Sequence, residues 1–337
     1  MAITRQDVAK KAHVSTATVS NVVNGRGAVG PKVRQRVQEV IKELGYQPNQ
    51  IARSLKTNRT NELALFSSDI MNPYYAEVAC GVEEYAREHG YLVCIVTTDM
   101  MEKHKLSFFN RQFDGIIIQS IHISVSDIAR LTDRQIPIVL ISGSESWNGL
   151  PSPVTQLTIE IKTGTRNLFN YILKMGHRRI VFIGAQKLDK TRTNDTRLEA
   201  YQEILTEHNI PIDPALIYME DLTPDRIYQY IQSILCIAEP PTAIFTGNDN
   251  YALPVLAAIH DMGLSVPADV SVVGFDNILP AAYYYPPLTT IGIPKYSLGR
   301  TAAELLLQKI QGETVEDQNI KTELIIRESV APHNRKA

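Results

Sequence analysis

From residue 62 onward the chain alternates short apolar runs with amphipathic stretches, the pattern of buried strands joined by helices. The runs predict strands at Leu63 to Ser67, Leu92 to Thr97, Gly115 to Gln119 and Ile138 to Ile141. A second set is expected at Ile180 to Gly184, Leu216 to Met219, Ala243 to Gly247 and Val270 to Gly274. Helical spacing between the runs predicts helices near 74–89, 164–175, 195–208, 251–262 and 296–311. This is an α/β body of two similar parallel-sheet lobes in series. In such sheets ligands sit beyond the carboxyl ends of the strands. Two lobes facing each other there make a closable cleft.

Those strand ends are where the polar groups fall. Asp69, Asn72 and Pro73 follow the first strand, Asn248 and Asp249 follow Gly247, and Asp276 and Asn277 follow Gly274. Arg197 opens a helix after the polar stretch Lys187 to Asn194. Amides, a carboxylate and a guanidinium converging on one cleft suit a polyhydroxylated ligand, whose hydroxyls both donate and accept. Asp249 reads equally well as a cap of the next helix, and Asp69 equally well as a loop or dimer contact.

The first sixty residues carry a different pattern, three short helices. Thr4 with Asp7 forms a capping box that opens a helix through Ala12, with Val8, Ala9 and Ala12 as its apolar stripe. After a break at His13-Val14, Ser15 caps a second helix with Val19, Val22 and Val23 inward and Thr16, Ala17, Ser20 and Asn21 outward. Pro31 starts a third, carrying Val33, Val37, Val40, Ile41 and Leu44, and Gly45 closes it. This is a helix-turn-helix pattern. Only a helix with short outer side chains lies deep enough in a major groove to reach base edges. The run Gly25 to Gly30 spells G-x-G-x-x-G. It precedes no βαβ unit, and residues 46–61 hold no acid to grip a ribose, so a dinucleotide site is rejected.

Charge sharpens this division. The chain has 34 Lys and Arg, 36 Asp and Glu and a net charge of −2. Residues 1–60 hold eleven basic and three acidic side chains, a balance of +8, which leaves −10 on the remainder. A basic head on an acidic body is the asymmetry of a polyanion-binding module attached to something else. No 18-residue apolar run and no apolar leader occur, so a cytoplasmic protein without membrane contact is expected. Cys80, Cys94 and Cys236 form neither a disulfide framework nor a zinc set. No catalytic or phosphate-loop motif is present, and His177 in Gly-His-Arg-Arg reads as structural. No enzyme activity, cofactor or metal is expected.

Between head and body, residues 49–57 form a candidate helix with Asn49 as cap and Ile51, Ala52 and Leu55 on one face. Isolated helices below about 12 residues are marginal in water, so this linker is expected to order on a partner.

Asp7-Val8-Ala9, Val14 to Ser20, Val23-Asn24-Gly25, Arg36-Val37, Leu44-Gly45-Tyr46 and Pro48 to Leu55 resemble the headpiece of the lactose/galactose repressor family. The similarity continues through Asp69 to Tyr75, Asp114 to Ile117, Gly176 to Ile180, Asp269 to Asn277, Pro287 to Thr290 and Arg327 to Ser329. It covers nearly the whole chain.

The resemblance implies a helix-turn-helix headpiece (1–47), a hinge (48–60) and an effector-binding and dimerisation domain (61–337). That domain would have the two-lobed periplasmic-binding-protein-like fold. Lobe 1 would span about 61–158 and 290–320, and lobe 2 about 159–289 and 321–332. It implies a homodimer on a near-palindromic double-stranded operator, with Thr16, Ala17 and Asn21 reading bases. Thr18, Ser20, Lys32 and Arg34 would meet phosphates, and Thr4 would also bind DNA. Paired hinge helices in the minor groove would wedge Leu55 into a base step, with Arg53 and Lys56 on backbone or minor-groove edges and Asn49 and Ala52 also meeting DNA. Asn72, Pro73, Arg197, Leu222, Asn248 and Asp276 would line a sugar site. The resulting expectation is a repressor of carbohydrate-use genes released by a sugar or sugar phosphate. The alternative is a corepressor mode, using a purine-like metabolite or a phosphorylated carrier protein. Three departures stand out. Asn21 replaces a common arginine and would favour adenine. Leu222 replaces an aromatic platform, and Pro254 lies within a helix, where it is read as a first-turn residue.

Overall fold

Capping chemistry decides where the first three helices begin and end. In the computed structural model, which describes residues 3–23, 25, 27–46, 59–97, 113–119, 123–143, 150, 154–184, 195–220 and 222–333, the chain forms two compact units, residues 1–60 and 61–337. In the first unit, α1 (Arg5–Lys11) starts at the reciprocal Thr4–Asp7 box. His13 turns the chain at φ 51°. The Ser15 hydroxyl then accepts the Thr18 N–H at 3.1 Å at the head of α2 (Thr16–Val23). α3 (Pro31–Leu44) ends on Gly45 at φ 60°, which returns its N–H to the Ile41 and Lys42 carbonyls. Val8, Ala9, Ala12, Val19, Val22, Val37, Val40 and Tyr46 close one small core. Each large apolar side chain buried there contributes roughly 1.5–3 kcal/mol.

Among the described residues, the second unit holds two six-stranded sheets. The first part of its chain runs β1 (Glu62–Ser67), α4 (Pro73–Glu88), β2 (Leu92–Thr97), β3 (Gly115–Gln119), α5 (Val125–Thr132), β4 (Ile138–Ser142) and β5 (Val154–Ile159). It then crosses to the second lobe through α6 (Ile161–Lys174), β6 (Ile180–Ile183), α7 (Thr196–Glu207), β7 (Ile217–Tyr218) and α8 (Pro224–Leu235). β8 (Ala243–Thr246), α9 (Asp249–Asp261), β9 (Ser271–Asp276) and β10 (Thr289–Gly292) complete that passage. The chain returns through α10 (Lys295–Ile310) to β11 (Gln318–Ile320), and crosses once more to β12 (Glu323–Ile325). Strand orders are β11-β5-β4-β3-β1-β2 and β12-β10-β9-β8-β6-β7. Every pairing is parallel except β10 with β12.

The α/β architecture is the expected one, with six further α-helices and strands among the described residues. These are α5, α8, β5, β10, β11 and β12. β10 pairs with β9 in the second sheet, so residues 290–292 belong to lobe 2 and not, as expected, to lobe 1. α9 begins at Asp249, which moves Pro254 out of the first turn and into the helix interior. Within lobe 2, the rings of Phe169, Phe182, Tyr201 and Phe245 pack together with centroids 5.1–5.3 Å apart.

The lobe-1 helices α4 and α10 touch along their backbones. A Cβ on Gly81 would collide with the Tyr296 carbonyl, and one on Gly299 with that of Val78. These close approaches set the start of α10 against the middle of α4.

Candidate functional site

In the first unit, α2 presents short side chains outward. Thr16, Ala17 and Asn21 are exposed, while Thr18 and Ser20 are partly buried. The Thr18 hydroxyl is shared with Ser15 at 2.9 Å. The Asn21 amide lies against Gly27, where an added Cβ would stand 3.1 Å from Nδ2. Lys32 is exposed and Arg34 partly buried in the first turn of α3, and Thr4 caps α1 from an exposed position. Asn49, Ala52, Arg53, Leu55 and Lys56 lie outside the described residues.

In the second unit, parallel strands bring their carboxyl ends together. Ser67 of β1 sits in register with Gln119 of β3. Both are at least nine-tenths buried, and neither the Ser67 hydroxyl nor the Gln119 amide completes a hydrogen bond among the described residues. The Gln119 amide lies near enough to the Tyr74 hydroxyl to ease its ionisation, although burial still drives that phenol's pKa upward. Tyr74 and Tyr75 meet edge to face at 5.0 Å. Burial pushes Tyr75 up to about 12. Each buried donor or acceptor left unmatched costs about 1–3 kcal/mol, which a polar ligand would offset.

The facing lobe contributes charge. Arg197 opens α7 and is gripped by Asp195, whose oxygens accept from Nε at 2.9 Å and Nη2 at 3.1 Å. Its Nη1 donates to the Gly247 carbonyl, and the guanidinium stands 5.7 Å over the Phe275 ring. Burial disfavours that cation, but the charge and hydrogen bonds of Asp195 outweigh burial and raise its pKa. Asp276 ends β9 at φ 105°, buried. Burial and then the nearby Asp249 charge hold its carboxyl well above the usual range, against Arg197 and Lys295. Arg197 and Asp276 both act on Tyr74 and Tyr75, so the two lobes face each other here.

Asn248 caps α9 through the Tyr251 N–H at 3.1 Å. Tyr251, raised chiefly by burial, shares the surroundings of Asn248, Arg197, Asp195 and Asp69. Asp249 proves structural rather than ligand-facing. It is fully buried and accepts from the Ile278 N–H at 2.9 Å and the Thr290 hydroxyl at 2.7 Å. Asn72 spends its carbonyl oxygen on the Tyr74 N–H at 3.0 Å, with Pro73 opening α4 behind it. Leu222 packs, partly buried, on the lobe-2 core. No described contact joins it to Arg197 or Asp276.

Sequence reasoning therefore missed Ser67, Gln119, Tyr74, Tyr251 and Asp195. The first two carried a readable signal, a polar residue closing an apolar strand. No group of three His, Cys, Asp or Glu that could hold a metal occurs among the described residues. No described helix is long and apolar enough to cross a membrane.

Comparison with known proteins agrees with both units. Residues 4–49 match the model of bacterial regulatory proteins of the lacI family, and residues 169–330 match a periplasmic binding protein-like domain. The HTH-type transcriptional repressor PurR of Escherichia coli O1:K1 / APEC is 35% identical over 335 residues, 97% of each chain. The lac repressor dimer bound to operator and the anti-inducer ONPF superposes with a TM-score of 0.84 at 27% identity, covering 98% of this chain and 100% of that one. A complex of the transcriptional regulator CelR with cellobiose gives 0.70 at 30% identity, covering 97% and 99%.

Proposed function

Because the chain belongs to the lacI family of bacterial regulatory proteins, DNA-binding transcriptional regulators with small-molecule effectors, we propose that it is a cytoplasmic, homodimeric repressor of carbohydrate-use genes. A sugar or sugar phosphate in the cleft releases it from a near-palindromic operator. The observation that carries the effector class is the buried Ser67–Gln119 pair with unused hydrogen-bonding capacity, opposite Arg197 and Asp276. Hydroxyls that donate and accept match that wall, and the similar CelR is described with cellobiose bound.

On DNA, α2 lies in the major groove with Thr16, Ala17 and Asn21 at base edges. Thr4, Thr18, Ser20, Lys32 and Arg34 hold phosphates. The hinge residues Asn49, Ala52, Arg53, Leu55 and Lys56 act in the minor groove, Leu55 as the wedge. Exposed Leu92 and Ile95 on β2, with Leu279, Tyr283 and Tyr285 beyond β9, supply apolar surface for the second copy. Closure of the cleft shifts the population away from the DNA-bound form.

The similarity to PurR favours a second reading, a purine-like corepressor that tightens operator binding. A phosphorylated carrier protein fits less well. Its docking patch would lie near residues 75–90 and 295–305, where Arg300 is already paired with Glu84 at 2.9 Å and Glu88 at 3.0 Å. The deciding experiment is a thermal-shift screen of mono- and disaccharides, their phosphates and purine bases, with and without operator-like duplex. A ligand at a hundredfold its Kd adds about 2.7 kcal/mol of stability. A sugar that stabilises the protein and weakens its hold on the duplex supports the proposal. Stabilisation by a purine base alone, with tighter DNA binding, overturns it.

A further inference from the structure

Lys295 is a lysine with 3% of its surface exposed, placed where the chain crosses from β10 of lobe 2 to α10 of lobe 1. Its ammonium serves both lobes. It donates to the carbonyls of Asp276 at 2.9 Å and Asn277 at 2.8 Å, which end the ligand-facing strand of lobe 2. Glu77, on α4 of lobe 1, stands 3.5 Å away. The two residues whose carbonyls it takes have φ 105° and 51°; asparagine tolerates the second, but the first is backbone that a side-chain-bearing residue adopts only when its surroundings impose it.

The surroundings are specific. The Asn277 N–H donates to the Thr290 hydroxyl at 3.4 Å, its side-chain oxygen accepts from Arg327 at 2.7 Å, and the next N–H, of Ile278, goes to Asp249. Those partners all come from lobe 2 or its closing tail. Lys295 is the described contact that brings in lobe 1, and the close Gly81–Tyr296 and Gly299–Val78 approaches make its base rigid with α4. α4 in turn begins at Asn72, Pro73 and Tyr74, the lobe-1 rim of the cleft.

We propose that Lys295 is a positioning residue that ties the Asp276–Asn277 turn of lobe 2 to the α4–α10 pair of lobe 1, so that displacement of that turn is passed to the Tyr74 rim. It touches no ligand itself. Its function is to hold a strained turn in the orientation that presents Asp276 to the cleft, and to carry displacement of that turn into lobe 1. The effector part of this assignment rests on the cleft being the effector site.

The test compares the full-length protein with Lys295→Met, Lys295→Arg and Glu77→Gln. Hydrogen–deuterium exchange, which needs no ligand, reads the lock directly. In Lys295→Met, amides of 276–278 and of the first turns of α4 should exchange about tenfold faster or more. Core amides of β8 should be unchanged, and Lys295→Arg should restore most of the protection. Glu77→Gln should loosen the α4 side alone. Uniform acceleration that includes β8, or no change at 276–278, overturns the proposal. A second arm titrates the sugar giving the largest shift in the thermal screen. Lys295→Met should bind it about tenfold more weakly, and Lys295→Arg within a few-fold of the parent. Unaltered affinity in Lys295→Met overturns the positioning role. Where no sugar shifts the parent, the effector reading fails while the exchange arm still decides the lock.

Discussion

Asp195 holds Arg197 three times over, accepting its backbone N–H at 3.0 Å and its guanidinium through both carboxylate oxygens. The pair is mostly out of solvent, with side chains 18% and 8% exposed. Removing one partner of such a pair costs about 3–5 kcal/mol, because the remaining charge is left in a poor medium. Asp195→Ala and Arg197→Ala should each destabilise the body by a large part of that amount. The double variant should lose much less than the two losses combined. Urea denaturation of the three variants measures this, and strict additivity would show that the pair is not coupled.

Two buried groups give opposite pH signatures. Burial pushes Asp249 up to about 7 from an ordinary 3.8, despite its bonds to Thr290 and Ile278. Burial pulls His177 down to about 4 from 6.5, although its ring bonds the Ala331 carbonyl and the Thr242 hydroxyl. Between pH 4 and 7 the folded state holds a proton on Asp249 that the unfolded chain has released. Its contribution to stability is therefore full below 3.8 and is lost as pH rises through 7. His177 is neutral when folded and charged when unfolded over roughly pH 4 to 6.5, so its contribution is lost as pH falls through 4. The parent should thus show a shallow profile. Relative to it, Asp249→Asn should gain stability with rising pH, and His177→Gln should lose it, each by up to about 1.4 kcal/mol per pH unit. Parallel profiles for all three proteins would refute the assignment.

Local chemistry made the headpiece legible. The Thr4–Asp7 box, Ser15, Pro31 and Gly45 each act within one turn, and each fixes a boundary where the sequence places it. The body was legible wherever burial on both faces leaves a continuous apolar run, as in β3 and β8. β5 escaped because it is buried on alternate residues and carries Thr155, Gln156 and Thr158. β11 and β12 escaped because three residues hold no signal of their own. Their existence depends on partners as distant as Ile159 and Thr290. The same limit governs the cleft. Arg197, Asn248 and Asp276 follow strands and can be named from the chain. Lys295 acquires its role only when a lobe crossing sets it beside Asp276 and Asn277.

Helix–helix contact at Gly81 reverses an ordinary preference. Alanine usually improves a helix by roughly 0.5–1 kcal/mol over glycine. At Gly81 its methyl would collide with the Tyr296 carbonyl and stand 3.0 Å from the Arg300 nitrogen, both backbone atoms that cannot swing aside. Gly81→Ala should therefore destabilise the body by about 1–3 kcal/mol, the usual cost of overpacking. Thermal melting reads the sign, and an unchanged or higher Tm would mean that α4 and α10 do not meet as described.

Charge and shape on the headpiece should separate cleanly in DNA binding. With +8 on residues 1–60, affinity for a duplex selected in vitro from random sequences should fall steeply with salt, log K against log salt having a slope of several units. Lys32 is exposed in the first turn of α3; if it holds phosphate as proposed, Lys32→Ala should weaken all duplexes alike and lower the slope by about one. Asn21 is exposed on α2, with its amide steadied against Gly27. Asn21→Ala should leave the slope intact and lose about 1–3 kcal/mol of discrimination at one base pair. Fluorescence anisotropy at four salt concentrations, on the selected duplex and its single-base variants, makes both comparisons. A change of slope with Asn21→Ala and none with Lys32→Ala would exchange their roles. A flat salt response in the parent would remove the DNA-binding face from this head altogether.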